Sequence, residues 1–253
     1  MIKINKKVVA ATISAAESGD PEFQNDLGVM YANGQGVKQD FKQAEHWFRR
    51  GAEQGDASAQ FNLGVMYARG DGVEKDEKMA AELYLMAANQ GSACAQLNLG
   101  IFYSDGSGVE QDHQKALYWF QKSAERNFAK AQYHLGNAYK HGHGVEKNLV
   151  VAAEWYLKAA NQGDKMAQYN LGLMNHNGDG MAKDYKMARS LLEMSSKQGY
   201  AKAQYLLGWM YGKGLGVKKN YDKAINLIQK AADQGHPEAI ESIGKLNKIR
   251  GIS

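Results

Sequence analysis

The sequence predicts an all-α chain built as a solenoid of stacked helical hairpins, and three observations predict it. The dipeptide Leu-Gly returns every 36 residues, at Leu27-Gly28, Leu63-Gly64, Leu99-Gly100, Leu135-Gly136, Leu171-Gly172 and Leu207-Gly208, and Ile243-Gly244 continues the series. A fixed period of this length marks a repeat architecture. Between these marks, apolar and small residues recur at three- and four-residue spacing, the signature of a helix with one buried stripe. The chain also has only 2 prolines beside 28 glycines, and most of the glycines fall at fixed offsets from the Leu-Gly mark.

Each unit reads as helix A, a glycine loop, helix B and a tight turn. Helix A carries A-x-A-Q-x-x-L-G-x-x-Y, with Tyr31, Tyr67, Tyr103, Tyr139 and Tyr211 three residues past the mark and Asn175 in the fifth unit. A G-x-G loop follows, at Gly34/Gly36 and its equivalents, and supplies backbone freedom. Asp40, Asp76, Asp112, Asn148, Asp184 and Asn220 come next as N-caps of helix B, because a short polar side chain accepts from the free N–H groups of a first turn. Helix B then carries an alanine (Ala44, Ala80, Ala116, Ala152, Ala188, Ala224) and a Trp or Leu at helical spacing. Gly or Asn closes it, since both tolerate the left-handed C-cap conformation. Asp20, Asp56, Ser92 and Asp164 are placed to cap the next helix A. Neither helix can bury its stripe alone; stacking buries it.

The frame gives six units, 20–55, 56–91, 92–127, 128–163, 164–199 and 200–235, within a single solenoid domain spanning 1–253. Residues 1–19 form a capping helix, since "AESGD" at 16–20 aligns with "AEQGD" at 52–56. The competing reading of that segment is a poor signal peptide, its apolar stretch being short and carrying Thr and Ser. Residues 236–253 form a lone helix A, with Glu238, Glu241, Lys245 and Lys248 on a solvated face.

The frame also settles "HGHG" at 141–144, which by itself looks like a metal loop. Its siblings read NGQG, RGDG, DGSG, NGDG and KGLG, so the glycines are architecture and the histidines occupy variable slots. A closed zinc site needs four ligands, which this loop alone does not supply. No metal and no cofactor is expected.

Net charge is +4 with a pI near 8.9, too mild to demand a nucleic-acid or membrane partner. No apolar run approaches the roughly 20 residues of a membrane span. The single cysteine, Cys94, allows no internal disulfide and fits a reducing compartment.

The repeat resembles the Sel-1-like repeat, a relative of the tetratricopeptide repeat. "AQFNLGVMYARGDGVEKD" (59–76) and "AQLNLGIFYSDGSGVEQDHQKALYWFQKSAE" (95–125) match it nearly slot for slot. The resemblance implies a right-handed superhelix of α/α hairpins whose A helices line a concave groove. It also implies a protein–protein adaptor of bacterial type, cytoplasmic or else secreted or translocated. Some relatives are immunity proteins that neutralise toxins, and others act as secreted virulence adaptors.

If the groove resembles that of its relatives, its slots can be read. Two residues before the marked glycine stand Asn62, Asn98, His134 and Asn170. Such amides either pair with the backbone of an extended peptide or bond a neighbouring helix and support stacking. Three before it stand Tyr133, Tyr169 and Tyr205, and Trp209 stands one after it; these are binding anchors or core. Arg69, Lys140, His141, His176 and Lys213 are polar slots on the same face. A cluster of His134, His141 and His176 would sense pH or hold a metal; the competing reading is scattered surface histidines. The fifth unit departs from the pattern at Asn175, Leu191-Leu192 and Ser195-Ser196, by drift or under the influence of a partner.

No catalysis is expected. The matching S-x-x-K, Ser242 to Lys245, lacks the S-D-N and K-T-G partners of β-lactamase-like chemistry. The cysteine-rich relatives described as β-lactamase-like are stapled by paired cysteines, which this chain lacks. The partner expected is a protein or peptide, without nucleic acid or membrane insertion, and the chain is expected to be monomeric.

Overall fold

The structure, a computed structural model, describes residues 5–250, with side chains as far as Lys245. Lys248 and the outermost residues of the two predicted caps lie outside the described side chains. The described residues form helices α1 (Lys6–Glu17), α2 (Pro21–Asn33), α3 (Phe41–Glu53), α4 (Ala57–Arg69), α5 (Glu77–Asn89), α6 (Ala93–Asp105) and α7 (His113–Glu125). They continue with α8 (Ala129–His141), α9 (Leu149–Asn161), α10 (Lys165–Asn177), α11 (Tyr185–Lys197), α12 (Ala201–Lys213), α13 (Tyr221–Ala232) and α14 (Pro237–Arg250). No strand occurs among them, and the fold class is an all-α solenoid of helical hairpins. The chain divides into two compact units at Arg126/Asn127, one holding α1–α7 and the other α8–α14. Asn127, the residue at the boundary, replaces the turn glycine and adopts φ 59°.

The caps form as the sequence requires. Asp40 Oδ1 accepts from the Lys42 and Gln43 amides at 3.0 and 3.1 Å. Asn148 does the same for Val150 and Val151, both at 3.1 Å. Gly34, Gly70, Gly106, Gly142, Gly178 and Gly214 close the A helices in the left-handed conformation. Where Phe128 and Tyr200 replace the capping Asp, helices α8 and α12 begin without a side-chain cap.

Two glycine slots are set by close approach. In each hairpin the residue twenty past the Leu-Gly mark packs against that glycine: a Cβ on Gly28 would stand 2.5 Å from the Phe48 ring, and one on Gly64 2.9 Å from the Tyr84 ring. The second loop glycine docks on the start of helix B one repeat earlier. A Cβ on Gly72 would meet Phe41 at 2.4 Å, and one on Gly216 would meet the Tyr185 carbonyl at 2.3 Å.

Buried glutamines tie successive helices together. Gln24, Gln60, Gln96, Gln132, Gln168 and Gln204, at the Q of A-x-A-Q, are all buried. Gln24, Gln60, Gln96, Gln168 and Gln204 each donate to a carbonyl eight residues earlier, as Gln24 Nε2 does to Ala16 at 3.1 Å. The side-chain oxygens of Gln24, Gln60, Gln168 and Gln204 accept from a second glutamine thirty residues on: Gln54 to Gln24 at 2.7 Å, Gln90 to Gln60 at 2.8 Å, Gln198 to Gln168 at 2.9 Å and Gln234 to Gln204 at 2.7 Å. A buried amide is tolerated only when satisfied in this way. The third repeat has Arg126 in that second position, and Gln96 Oε1 has no hydrogen-bond partner.

The fifth unit's departures are mostly absorbed by packing. Ser195 is fully buried, and its hydroxyl donates to the Lys165 carbonyl at 2.7 Å. Leu192 is likewise buried and packs 3.1 Å from the point a Cβ on Gly172 would occupy.

Candidate interaction face on the A helices

In the first compact unit, α1–α7, the structure brings Asn62 and Arg69 together. Both line a cavity of about 320 Å³ between α2 and α4, with Val29, Val65, Met66 and Asp71. Arg69 is exposed, while Asn62 Nδ2 donates to Asn25 Oδ1 at 2.8 Å. Asn98 lies further along and hydrogen-bonds the hydroxyl of Tyr84, a buried helix-B residue of the preceding repeat. Burial pushes that phenol's pKa above its ordinary value, with Asn98 opposing the shift.

The second unit repeats this arrangement and adds aromatic rings. Asn170 reaches the hydroxyl of buried Tyr156, which itself donates to Asn137 Oδ1 at 2.6 Å. Burial drives the Tyr156 pKa strongly upward, nearby Tyr133 adds to the rise, and Asn170 opposes it. The next pair in the series is apolar on both sides: Leu206 packs against the cluster that holds Leu192. The stacking reading of these amides thus accounts for the bonds of Asn62, Asn98 and Asn170.

Tyr133 tilts over Tyr156 with ring centroids 6.1 Å apart. Tyr169 meets Tyr200 edge-on at 5.3 Å, and both phenols are shifted upward chiefly by burial. Tyr205 stacks on His236 at 4.9 Å. Trp209, 38% exposed, meets His176 edge-on at 5.6 Å, and His176 also touches Tyr185 at 5.4 Å. Tyr133, Tyr169 and Tyr205 are all partly buried, and each ring takes part in packing.

The three histidines do not form a metal group. His134 is half-buried beside Tyr133, and exposed His141 stacks on His143 at 5.6 Å. His176 Nδ1 pairs with Asn177 Oδ1 at 2.9 Å. Among the described residues, no group of three or more His, Cys, Asp or Glu is placed to hold a metal ion. His141's pKa is lowered, first by burial and then by Lys140, His143 and Lys147.

The S-x-x-K residues are occupied elsewhere. The Ser242 hydroxyl donates to the Glu238 carbonyl of its own helix at 2.7 Å, and Lys245 pairs with Glu241 at 2.6 Å. Among the described residues no helix is long and apolar enough to cross a membrane.

Sequence reasoning missed the glutamine pairs and Tyr200. The invariant Q of A-x-A-Q was a signal for the first. Tyr200, standing where Asp caps its siblings, was a signal for the second.

The comparisons bear on the same frame. The Sel1 repeat family model matches residues 21–56, 57–92, 95–128, 129–164, 165–200 and 201–236. Among solved structures, the chain is similar to a protective antigen of uropathogenic Escherichia coli strains displaying an SLR fold. Identity is 37% and the TM-score 0.85 over 92% of this chain, which spans 50% of the antigen's length. A Sel1 repeat protein from Oxalobacter formigenes shares 33% identity at a TM-score of 0.78, with 84% of this chain and 85% of that one covered. No curated protein matches the chain. Sel1 repeat proteins generally mediate protein–protein interaction and generally act as non-catalytic scaffolds. The chain belongs to the Sel1 repeat family.

Proposed function

We propose that the chain is a non-catalytic scaffold holding a peptide or protein partner along its A-helix side, with 1–253 acting as one solenoid. The observation that carries this reading is the run of partly buried rings Tyr133, Tyr169 and Tyr205 on the A helices of the second compact unit, ending at exposed Trp209. Large rings that keep one edge in solvent lose little entropy on binding and supply most of the energy at protein interfaces. The cavity at Asn62 and Arg69 offers a polar counterpart in the first unit. Asn98 and Asn170 each use only part of their amide on a tyrosine hydroxyl, which leaves bonding capacity for a peptide backbone. The near-neutral charge balance favours a protein over a nucleic acid. The lone free thiol, exposed Cys94, favours the cytoplasm.

Affinity capture from the native cell tests the reading, comparing wild type with the double variant Arg69→Glu, Trp209→Ala. Both side chains are exposed, so the variant keeps its fold, which circular dichroism verifies. A protein retained by wild type and lost by the variant is the expected result. Equal retention by both, or none by either, contradicts the reading.

A further inference from the structure

A second site lies on the opposite helices, where the fifth unit lacks its tyrosine. Between helices α9 and α11 a cavity of about 320 Å³ is walled by Val150, Leu157, Leu171, Met187 and Leu191, with Asn175 at its side. The equivalent slots two repeats earlier, Leu85, Leu99 and Tyr103 among them, enclose only about 150 Å³. Ligand pockets usually start near about 300 Å³, so the later site reaches that size and the earlier one does not.

The difference follows from which residues fill the slots. Tyr103 fills its own site, with Lys115 Nζ 5.3 Å from the ring centroid; Lys223 lies over Tyr211 in the same way at 4.1 Å. The tyrosine hydroxyl at this slot also reaches back to helix B of the previous repeat: Arg49 donates to the Tyr67 hydroxyl, and Tyr211 donates to Glu193. In the fifth unit the ring and the lysine change together. Asn175 replaces the ring and Met187 stands where Lys115 and Lys223 stand, while Leu157 matches Leu85, its equivalent at the Tyr103 site. Asn175 is folded back on its own helix, its amide donating to the Leu171 carbonyl at 2.9 Å. At the mouth three apolar side chains stand in solvent, Val150 55%, Leu157 48% and Met187 50% exposed, beside the exposed Glu154. Exposed apolar side chains around an apolar hollow mark a binding site rather than an ordinary surface.

We propose that this pocket receives a single tyrosine side chain from a partner protein, in the place the chain's own tyrosine occupies in the other repeats. The walls match those that hold Tyr103, with Met187 in place of Lys115. The site is separate from the A-helix face, so a partner contacting both would be gripped from two sides.

The test uses the intact chain and two probes followed by ligand-observed NMR: p-cresol, the tyrosine side chain alone, and N-acetyltyrosinamide, the same ring on a backbone. Both are expected to bind with affinity on the order of millimolar. Asn175→Tyr should fill the pocket from within and weaken both at least ~10-fold, about 1.4 kcal/mol by the tenfold relation. Leu157→Lys, a change at an exposed position, should weaken them similarly and covers the case in which the first variant misfolds. Binding undiminished in both folded variants, or no binding to wild type, overturns the proposal. Binding of p-cresol without N-acetyltyrosinamide overturns it in favour of a free phenol. A wild-type dimer that both variants dissolve, read by sedimentation, overturns it in favour of a second copy of this chain.

Discussion

The ring of Tyr156 lies against Gly136 so closely that a Cβ on the glycine would stand 2.5 Å from two ring carbons. This contact joins the two helices of one hairpin, and it explains why glycine follows leucine at every 36-residue mark. Gly136→Ala should therefore destabilise the chain by about 1–3 kcal/mol through overpacking. Gly244→Ala is the control: the helix is the same kind, nothing lies within 4 Å, and alanine's helix propensity should stabilise α14 by up to about 1 kcal/mol. Urea denaturation of the two variants checks both signs.

Tyr156 also predicts a pH effect. Its folded pKa is raised, chiefly by burial, above the unfolded value of about 10. Folding therefore favours the protonated phenol. That contribution is complete below about pH 10 and is lost as pH rises above it towards the raised folded value. Tyr156→Phe should be less stable than wild type at neutral pH, because Asn137 and Asn170 lose the phenol and keep only their mutual bond at 3.5 Å. The gap should narrow between about pH 10 and 11. Denaturation midpoints of both proteins across that range measure it.

The amide–phenol pairs predict a compensating double substitution. Tyr84→Phe should cost about 1 kcal/mol, since Asn98 loses a hydrogen bond. Adding Asn98→Leu should recover most of that loss, because Leu192 and Leu206 already form the apolar version of the pair. A double-mutant cycle reads the coupling directly.

Arg126→Gln should stabilise the chain, against the usual trend of point substitutions. Gln96 Oε1 is buried without a hydrogen-bond partner, while its counterparts accept from a glutamine at the position of Arg126. Restoring that donor should add about 1 kcal/mol in urea denaturation.

The fold was legible in the sequence because each slot does one physical job every 36 residues, and six copies expose it. Asp40 as a cap and Gly34 as a left-handed stop follow from local chemistry alone. The site was less legible. Asn98 and Asn170 look alike to a peptide ligand and to a tyrosine hydroxyl, and only the position of Tyr84 or Tyr156 beneath them distinguishes the two. Tyr84 stands fourteen residues earlier in the chain, so the pairing is invisible without the hairpin. Asn175 was conspicuous as a departure, yet its consequence depends on the space left between α9 and α11. That space is a property of neighbouring helices rather than of the residue.

The proposed partner contacts lie on the A-helix side. Site-specific photo-crosslinking in the native cell tests this placement most directly, with a photoreactive phenylalanine placed at Arg69 or Trp209 on A helices and at exposed Tyr118 on a B helix. A common crosslinked protein is expected from Arg69 and Trp209 and none from Tyr118. Crosslinks from Tyr118 alone, or none from the two A-helix positions, would contradict it.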